Sequence, residues 1–410
     1  MKYLFVACLL CLSVLSAVAK VPAMNKIRLT NNWEYLKGDL GGIWEAVRPA
    51  APGSSEAVPI WQPVTLPHCF NAEDAVDPDV NYYEGPGWYK TLLAIDNPYR
   101  NGRIVLDFDG AGQKTDVYVY TTHVGSHVGG YDSWNVDITD AVKAFLGSKD
   151  AERFKGKVPL SIRCDNSRDL EMIPSDLADF NIYGGLYRYL NLVYLPEVSF
   201  EQIHLESSLS SNLKEGILKV KTSFYNPEDI RKADVTVSVY DVDRKPVFSK
   251  TLEGILPLGD QLLAKMKIKN PVLWDVDVPQ LYTCELTVKT PDQTFTTEER
   301  FGFRHTEFKD KGPFFLNGKR LLLRGTHRHE DHAGVAQAMT EDMMRREMRM
   351  MKDMGVNFIR LGHYQQSEII LDLCDELGIL VWEEIPWCRG GLGGDVYKKQ
   401  ARRMLANMIV

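Results

Sequence analysis

Three short stretches in the C-terminal part of the chain carry side chains that could hold a polar ligand or move a proton. They are His327–Glu330, then Arg360 with His363, and then Glu383 with Glu384. Imidazoles and carboxylates orient ligands in pockets, and they are also the usual general acids and bases. The three stretches therefore predict one polar site built from consecutive parts of the chain.

Each stretch follows a short apolar run that is predicted to be a strand. The runs are apolar on both faces, which is typical of a parallel sheet covered by helices. Ser367 stands where a helix N-cap belongs, and Gly378 stands where a helix ends. We predict alternating elements, with strands at 320–324, 356–361 and 379–383 and helices at 341–354, 367–377 and 396–409.

The predicted strands deliver His329, His363 and Glu384 just past their C-terminal ends. In a β/α barrel the site is built at that face, so we expect these three side chains to meet there. Glu383 and Glu384 are adjacent and would point to opposite faces of a strand, so they are rejected as two carboxylates flanking one bond. Glu384 could instead bridge Arg360, because an arginine fork suits a carboxylate.

The polar residues in the loop after the first predicted strand could bind a metal ion instead of a sugar or another polar ligand. His327 and His332 with Glu330 and Asp331 could supply ligands. A loop with so many polar groups is more often hydrogen-bonded than metallated, so we predict neither a metal nor a cofactor. His329 and His363 could likewise be structural histidines, although their places at strand ends favour ligand contact.

Three sequence motifs resemble glycoside hydrolase family 2, which includes β-galactosidases, β-glucuronidases and β-mannosidases. They are RGTHRHEDH at Arg324–His332, NFIRLGHY at Asn357–Tyr364 and DELGILVW at Asp375–Trp382. One departure is Gln365, where the family usually has proline. The first motif looks more like β-galactosidases than the other two activities. The resemblance implies hydrolysis of terminal β-glycosidic bonds, with β-D-galactosides as the first expected substrates. A glycoside or an oligosaccharide is the expected partner.

The resemblance also implies the domain order. Residues 1–19 read as a signal peptide, with Lys2, an apolar run and a small-residue cleavage site, which predicts a periplasmic or extracellular protein. Residues 20–196 are expected to form a jelly-roll β-sandwich that binds sugar, and 197–308 an immunoglobulin-like β-sandwich. Residues 309–410 would be the first three β/α units of an incomplete TIM barrel.

Four residues are expected to bind substrate under this resemblance: Asp179, His329, His363 and Glu384. Asp179 lies nine residues before Arg188, where the family has an aspartate that reaches into the barrel site. Asp179 could also be an ordinary loop carboxylate. Some family members hold magnesium through a glutamate at the place of Cys388, and a thiol is a poor magnesium ligand.

No catalytic residue is predicted within the chain. The resemblance places the acid/base glutamate after an asparagine at the end of the fourth barrel strand, and the nucleophile after the seventh. The sequence contains no Asn-Glu pair, so both carboxylates are expected beyond Val410. Two alternatives to an enzyme therefore stay open: a non-catalytic carbohydrate-binding protein, and a truncated gene product.

The composition of the chain limits the classes of partner that we expect it to bind. The formal net charge is -7 and no basic block occurs, which argues against nucleic acid. No stretch beyond the signal peptide could span a bilayer. Seven cysteines are present, and the five outside residues 1–19 are widely spaced, so most are expected to be buried thiols. A homo-oligomer of the complete enzyme is left open.

Overall fold

The computed structural model of the protein describes residues 25–49, 59–175, 178–387, 389 and 392–409. The predicted signal peptide lies outside these ranges, as does Cys388. Within them, no helix is both long enough and apolar enough to cross a membrane. Cys69, Cys164, Cys284 and Cys374 are free buried thiols, as predicted.

The N-terminal part is a β-sandwich with two small helices. Its strands are β1 (Asn25–Arg28), β2 (Trp33–Lys37), β3 (Gln62–Val64), β4 (His68–Cys69), β5 (Pro86–Leu93), β6 (Arg103–Phe108), β7 (Lys114–Val119), β8 (Thr122–Val128), β9 (Trp134–Asp137), β10 (Val158–Asp165), β11 (Gly185–Leu186) and β12 (Leu190–Leu195). The helices are α1 (Trp44–Val47) and α2 (Thr139–Leu146), followed by a 3-10 turn at Lys149–Glu152.

Two large sheets enclose the core of this sandwich. One has the order β1-β12-β6-β9 and the other β3-β2-β5-β10-β7-β8, while β11 pairs with β4. Alternate residues of the strands point inward, as Val117 and Val119 do on β7 and Leu160 and Ile162 do on β10. These side chains fill the core between the two sheets, as expected for a sandwich, while β10 and β12 are buried almost throughout.

The middle part is a second, all-β sandwich. Its strands are β13 (Ser199–Leu209), β14 (Glu215–Tyr225), β15 (Ala233–Tyr240), β16 (Pro246–Ile255), β17 (Gly259–Lys269), β18 (Tyr282–Lys289) and β19 (Thr294–Phe301). They form the sheets β13-β14-β17 and β16-β15-β18-β19. The inward residues of β14 and β15 alternate strictly with outward ones, so the predicted sandwich is present.

The third part begins with an antiparallel meander and continues as β/α units. The meander is β20 (Thr306–Phe308), β21 (Phe314–Leu316) and β22 (Lys319–Arg320). The parallel sheet is β23 (Gly325–Arg328), β24 (Phe358–Leu361) and β25 (Leu380–Glu383), and the helices are α3 (Glu341–Asp353), α4 (Glu368–Leu377) and α5 (Asp395–Ile409). The predicted fold class, two sandwiches followed by three β/α units of an incomplete TIM barrel, is confirmed.

The caps of α4 follow the sequence prediction. The Ser367 hydroxyl accepts a hydrogen bond from the backbone N–H of Ile369. Gly378 adopts a left-handed φ of 71°, and a Cβ there would lie 2.3 Å from the carbonyl oxygen of Val276. The second sandwich thus touches the end of α4, and it holds that helix again where Trp274 Nε1 donates to the carbonyl of Asp375 at 2.8 Å.

The prediction that the first strand of the parallel sheet lies at 320–324 is wrong, because this strand is Gly325–Arg328. Gly325 is the first residue that pairs with β24, opposite Phe358. Before it, the Asn357 side chain bonds to the backbone N–H of Arg324 and the carbonyl of Leu322, while the Asn357 backbone N–H donates to the carbonyl of Arg324. Leu321 is partly buried and packs against the apolar cluster of Trp274, Val276, Leu316 and Leu380.

Helix α5 exists where it is predicted, but it lies against the N-terminal sandwich. The Glu171 carboxylate accepts hydrogen bonds from the backbone N–H groups of Gly394 at 2.6 Å and Tyr397 at 3.2 Å, which caps the helix. Arg403 Nε reaches the buried Asp132 carboxylate at 2.8 Å. The loop between β25 and α5 is therefore tied to the sandwich at its far end.

Candidate functional site

A buried ion pair joins the N-terminal sandwich to the loops that end β23 and β24. Arg188 Nη2 lies 2.9 Å from Glu330 Oε2, and it also donates to the carbonyl of Gln365 at 2.7 Å. The same Glu330 oxygen accepts from the backbone N–H of Ser367 at 3.2 Å. Both histidine-bearing loops are thus held by one residue of another domain.

Glu384 and Arg360 form a two-pronged ion pair at the C-terminal end of the parallel sheet. Arg360 Nε lies 2.5 Å from Glu384 Oε1, and Arg360 Nη2 lies 3.0 Å from Glu384 Oε2. Burial raises the pKa of Glu384, but the hydrogen bonds and charge of Arg360 outweigh burial and hold that pKa below its ordinary value. Glu384 is therefore an ionised anchor, as the sequence predicts for its pairing with Arg360.

His363 is oriented by the same arginine. Its Nδ1 lies 2.9 Å from Arg360 Nη2 and 3.4 Å from Glu384 Oε2. A guanidinium can only donate, so the shorter contact requires a lone pair on Nδ1 and places the ring proton on Nε2. Nε2 faces Asp179 Oδ1 across 4.0 Å, which leaves an N–H donor directed toward a carboxylate with a gap between them.

His327 and His329 complete a cluster with His363. The ring centres of His327 and His329 lie 5.3 Å apart, and those of His329 and His363 lie 5.2 Å apart. Burial lowers the pKa of His327, and the charge of Arg360 lowers it further. Burial also lowers the pKa of His329, with His363 adding to the effect. Both rings are neutral at pH 7 and can donate or accept hydrogen bonds.

The N-terminal sandwich and the loop after β25 supply the opposite wall of the site. Asp179 faces His363, and Phe180 stacks on the His363 ring with centres 5.8 Å apart. Arg389, in the loop after β25, lies 3.1 Å from Asp179 Oδ2 through its Nε. The wall therefore combines a carboxylate, an aromatic face and an exposed guanidinium.

The structure brings together all four residues predicted to bind substrate: Asp179, His329, His363 and Glu384. Sequence reasoning missed Phe180 and Arg389. Phe180 directly follows Asp179, so its proximity could have been inferred from that position. No sequence signal points to Arg389, because its place depends on how the loop between β25 and α5 is anchored.

The structure does not bring together His327, Glu330, Asp331 and His332 as the ligands of one metal ion. His332 Nδ1 lies 2.9 Å from the carbonyl of Ala333 on an exposed turn, and Glu330 is committed to Arg188. A different group does come together: His327, His329 and His363 each offer a nitrogen, and these atoms lie within 4.8 Å of one another. Among the residues that the structure describes, these three imidazoles are the group whose spacing could hold a metal ion.

Glu383 and Glu384 diverge, as predicted. Glu383 Oε1 accepts a hydrogen bond from the backbone N–H of Gln366 at 2.9 Å, away from the Arg360 pair. Burial raises the pKa of Glu383, whereas that of Glu384 is lowered. The two carboxylates therefore sit in separate environments and do not face one common bond.

Sequence models of one family match three consecutive parts of the chain. The model for the glycosyl hydrolases family 2 sugar binding domain matches residues 40–196. The model named glycosyl hydrolases family 2 matches residues 198–304, and that for the family 2 TIM barrel domain matches residues 307–398.

Relatives and solved structures agree with these matches. A β-glucuronidase of Bacteroides fragilis is 33% identical over 340 residues, which are 80% of this chain and 47% of the relative. A β-galactosidase of Thermoanaerobacterium thermosulfurigenes is 30% identical over 389 residues, which are 93% of this chain and 51% of the relative. The apo structure of Bacteroides uniformis β-glucuronidase 3 superposes with a TM-score of 0.89 at 58% identity, covering 95% of this chain and 49% of that one. The chain spans about half the length of the relatives it matches.

Proposed function

The chain belongs to glycoside hydrolase family 2, and from this premise we propose that it holds the sugar in an enzyme that hydrolyses terminal β-glycosidic bonds. The observation that best supports this proposal is the 4.0 Å distance between His363 Nε2 and Asp179 Oδ1. That distance is too long for a direct hydrogen bond, but one hydroxyl oxygen can lie about 2.8 Å from both atoms. A sugar hydroxyl there would accept from His363 and donate to Asp179.

His329 and Glu384 have different parts in this proposal. His329 lies beside Phe180, with ring centres 6.0 Å apart, and offers a further hydrogen bond to the sugar. Glu384 is already bonded to Arg360 through both carboxylate oxygens, so it acts by holding Arg360, which in turn orients the His363 ring. We therefore propose direct sugar contact for Asp179, His329 and His363, and support for Glu384.

The reaction requires two carboxyl groups about 5 Å apart in a retaining glycosidase, one as nucleophile and one as acid and base. Glu383 and Glu384 point apart, so they do not supply that pair. We propose that the pair belongs to the part of the family 2 enzyme that this chain does not span. The chain alone would then bind sugar without turnover.

For the sugar itself, we propose a β-D-glucuronide. The relative of 33% identity and the solved structure of 58% identity are both β-glucuronidases. The exposed guanidinium of Arg389 at the rim of the site would also favour an anionic sugar. A β-D-galactoside is the second candidate, favoured by the His327–Glu330 motif and by the β-galactosidase of 30% identity.

The test is hydrolysis of p-nitrophenyl β-D-glucuronide and β-D-galactoside by the product of the complete reading frame that contains this chain. The expected result is turnover of the glucuronide, and the 410-residue chain alone is expected to be inactive with both. Preference for the galactoside would select the second candidate. Turnover by the chain alone, purified from a host without such enzymes, would contradict the placement of the carboxylates.

We also propose that the protein is exported, since residues 1–19 have the charged end, apolar run and cleavage site of a signal peptide. Fractionation of the native cell is the test. Recovery of the uncleaved chain in the cytosol would contradict it.

A further inference from the structure

We propose that Glu171 is a positioning residue, which holds Arg389 where its guanidinium can bind the carboxylate of an anionic sugar. This inference rests on the proposed β-D-glucuronide, because Arg389 is assigned to that sugar. Glu171 belongs to the segment between β10 and β11, and it acts on Arg389 through the loop between β25 and α5.

The Glu171 carboxylate binds the start of α5 with both of its oxygens. Oε1 accepts a hydrogen bond from the backbone N–H of Gly394 at 2.6 Å, and Oε2 accepts one from the backbone N–H of Tyr397 at 3.2 Å. Backbone donors at the start of a helix have no partner within the helix, and the helix dipole favours a negative charge there. A residue of the N-terminal sandwich therefore supplies the cap that usually comes from the residue just before a helix.

Further contacts fix the same junction. Gln400 is only 3% exposed, donates through Nε2 to the carbonyl of Glu171 at 2.6 Å and accepts from the backbone N–H of Ile173 at 3.4 Å. A Cβ at Gly394 would lie 2.7 Å from Glu171 Oε1, so a side chain there would push the carboxylate away. Ile173 and Tyr397 pack in one apolar cluster. The start of α5 is thus docked on the sandwich in one defined position.

The loop that carries Arg389 is therefore anchored by a carboxylate at each end. Glu384 precedes the loop and is held through both of its oxygens by an arginine of β24. Gly394 follows the loop and is held by Glu171. Between these anchors, Arg389 Nε lies 3.1 Å from Asp179 Oδ2. Because a binding side chain is placed by the contacts behind it, loss of the Glu171 anchor should let Arg389 leave this position.

Arg389 can still bind a ligand while it contacts Asp179. Its side chain is 73% exposed, so a carboxylate arriving from solvent can reach the guanidinium, which has five N–H donors. An arginine on a loosely held loop would have to be ordered on binding, which weakens affinity. By holding the loop beforehand, Glu171 lowers that cost for an anionic sugar in particular.

The experiment compares Glu171→Ala with the wild type in the product of the complete reading frame. With p-nitrophenyl β-D-glucuronide we expect KM to rise about tenfold and kcat to change less than about twofold, because Arg389 would bind the sugar alike in the ground state and the transition state. The inhibition constant of the neutral phenyl β-D-thioglucoside should change less than about twofold. Glu171→Gln keeps one acceptor oxygen and should give an intermediate KM.

Asp395→Ala is the matched control, because Asp395 lies in the first turn of the same helix with a side chain that is 91% exposed and pairs with Lys398. Its KM should equal that of the wild type. Arg389→Ala should raise the same KM, and adding Glu171→Ala to it should raise KM no further, since Glu171 acts through Arg389. Effects that simply add would overturn the proposal. An equal loss of affinity for the neutral inhibitor would do so too, because it would indicate a purely structural role.

Trypsin provides a readout that needs no glycosidase activity. Cleavage after Arg389 should be faster in Glu171→Ala than in the wild type or in Asp395→Ala, because cleavage requires local opening of the loop. Unchanged cleavage would overturn the anchoring role of Glu171, whatever the enzyme hydrolyses. Preference of the wild type for the galactoside would instead contradict the proposed sugar and its binding by Arg389, while trypsin would still decide whether Glu171 anchors the loop.

Discussion

Arg188 and Glu330 are joined across 2.9 Å between two domains, and their side chains are only 2% and 0% exposed. Arg188 precedes the last strand of the N-terminal sandwich, whereas Glu330 follows the first strand of the parallel sheet. Because Arg188 also bonds the carbonyls of Tyr131 and Gln365, this one side chain sets the position of the sandwich relative to the histidine loops.

We expect Glu330→Gln to lower the free energy of unfolding by about 3–5 kcal/mol, because it leaves the Arg188 charge buried without a counter-charge. Arg188→Met should cost a similar amount, and the double variant less than the sum of both. Urea unfolding measures the effect. Arg345→Met, which removes an exposed partner of Glu341, is the control and should cost at most about 1 kcal/mol. A loss at Glu330 no larger than this control would contradict the role of the pair.

Gly378→Ala should destabilise the β/α units more than a left-handed glycine by itself explains. The residue has a φ of 71°, and an added Cβ would meet the Val276 carbonyl at 2.3 Å. Gly156→Ala is a matched control, since its φ is 75° and nothing lies within 4 Å of its added Cβ. We expect about 1 kcal/mol at Gly156 from backbone conformation alone, and a larger loss at Gly378 in thermal unfolding. Equal losses would mean that the second sandwich does not press on the end of α4.

Replacing Asp109 with the neutral asparagine should stabilise the folded protein at high pH but not at low pH. Burial, with the charges of Asp107 and Glu368, raises its pKa to about 7, against the opposing charges of Lys26 and Arg188. A raised pKa gives stability that is fully present below the unfolded pKa of about 3.9 and is lost as pH rises through about 7. Asp109→Asn should therefore change little near pH 4 and stabilise by roughly 1–3 kcal/mol at pH 8.

Melting temperatures of the wild type and Asp109→Asn between pH 4 and pH 8 measure this difference. Asp310→Asn, at an exposed turn, is the control and should show no such trend. A difference between wild type and Asp109→Asn that stays constant over this range would contradict the raised pKa.

His363→Ala is expected to damage catalysis more than folding in the complete enzyme. Its Nε2 proton would bond a sugar hydroxyl held by Asp179, and a bond that strengthens in the transition state is worth about 2–3 kcal/mol in kcat/KM. Steady-state kinetics and thermal unfolding, compared on the same variant, separate the two effects. Unchanged kinetics with a lowered melting temperature would instead make His363 a structural residue.

The sequence alone was enough to predict the features that depend on residues close together along the chain. The caps of α4 at Ser367 and Gly378, the alternation of strands and helices, and the strand-end positions of His363 and Glu384 follow from local periodicity and backbone preference. Asp179 was reached through the family resemblance, since nothing in its immediate surroundings marks it as a ligand.

Tertiary structure decided which of these groups meet. The first strand of the parallel sheet is Gly325–Arg328, and the Asn357 side chain holds the backbone of Leu322 and Arg324 before it. Helix α5 lies on the sandwich because Glu171 and Asp132 hold it there. Likewise, Arg360 determines which ring nitrogen of His363 carries the proton. The Arg188–Glu330 pair joins the domain of Asp179 to the loops that carry His363, and so influences the distance between these two residues. These are contacts between residues far apart in the chain, and their geometry depends on how whole domains dock, which no local pattern of residues encodes.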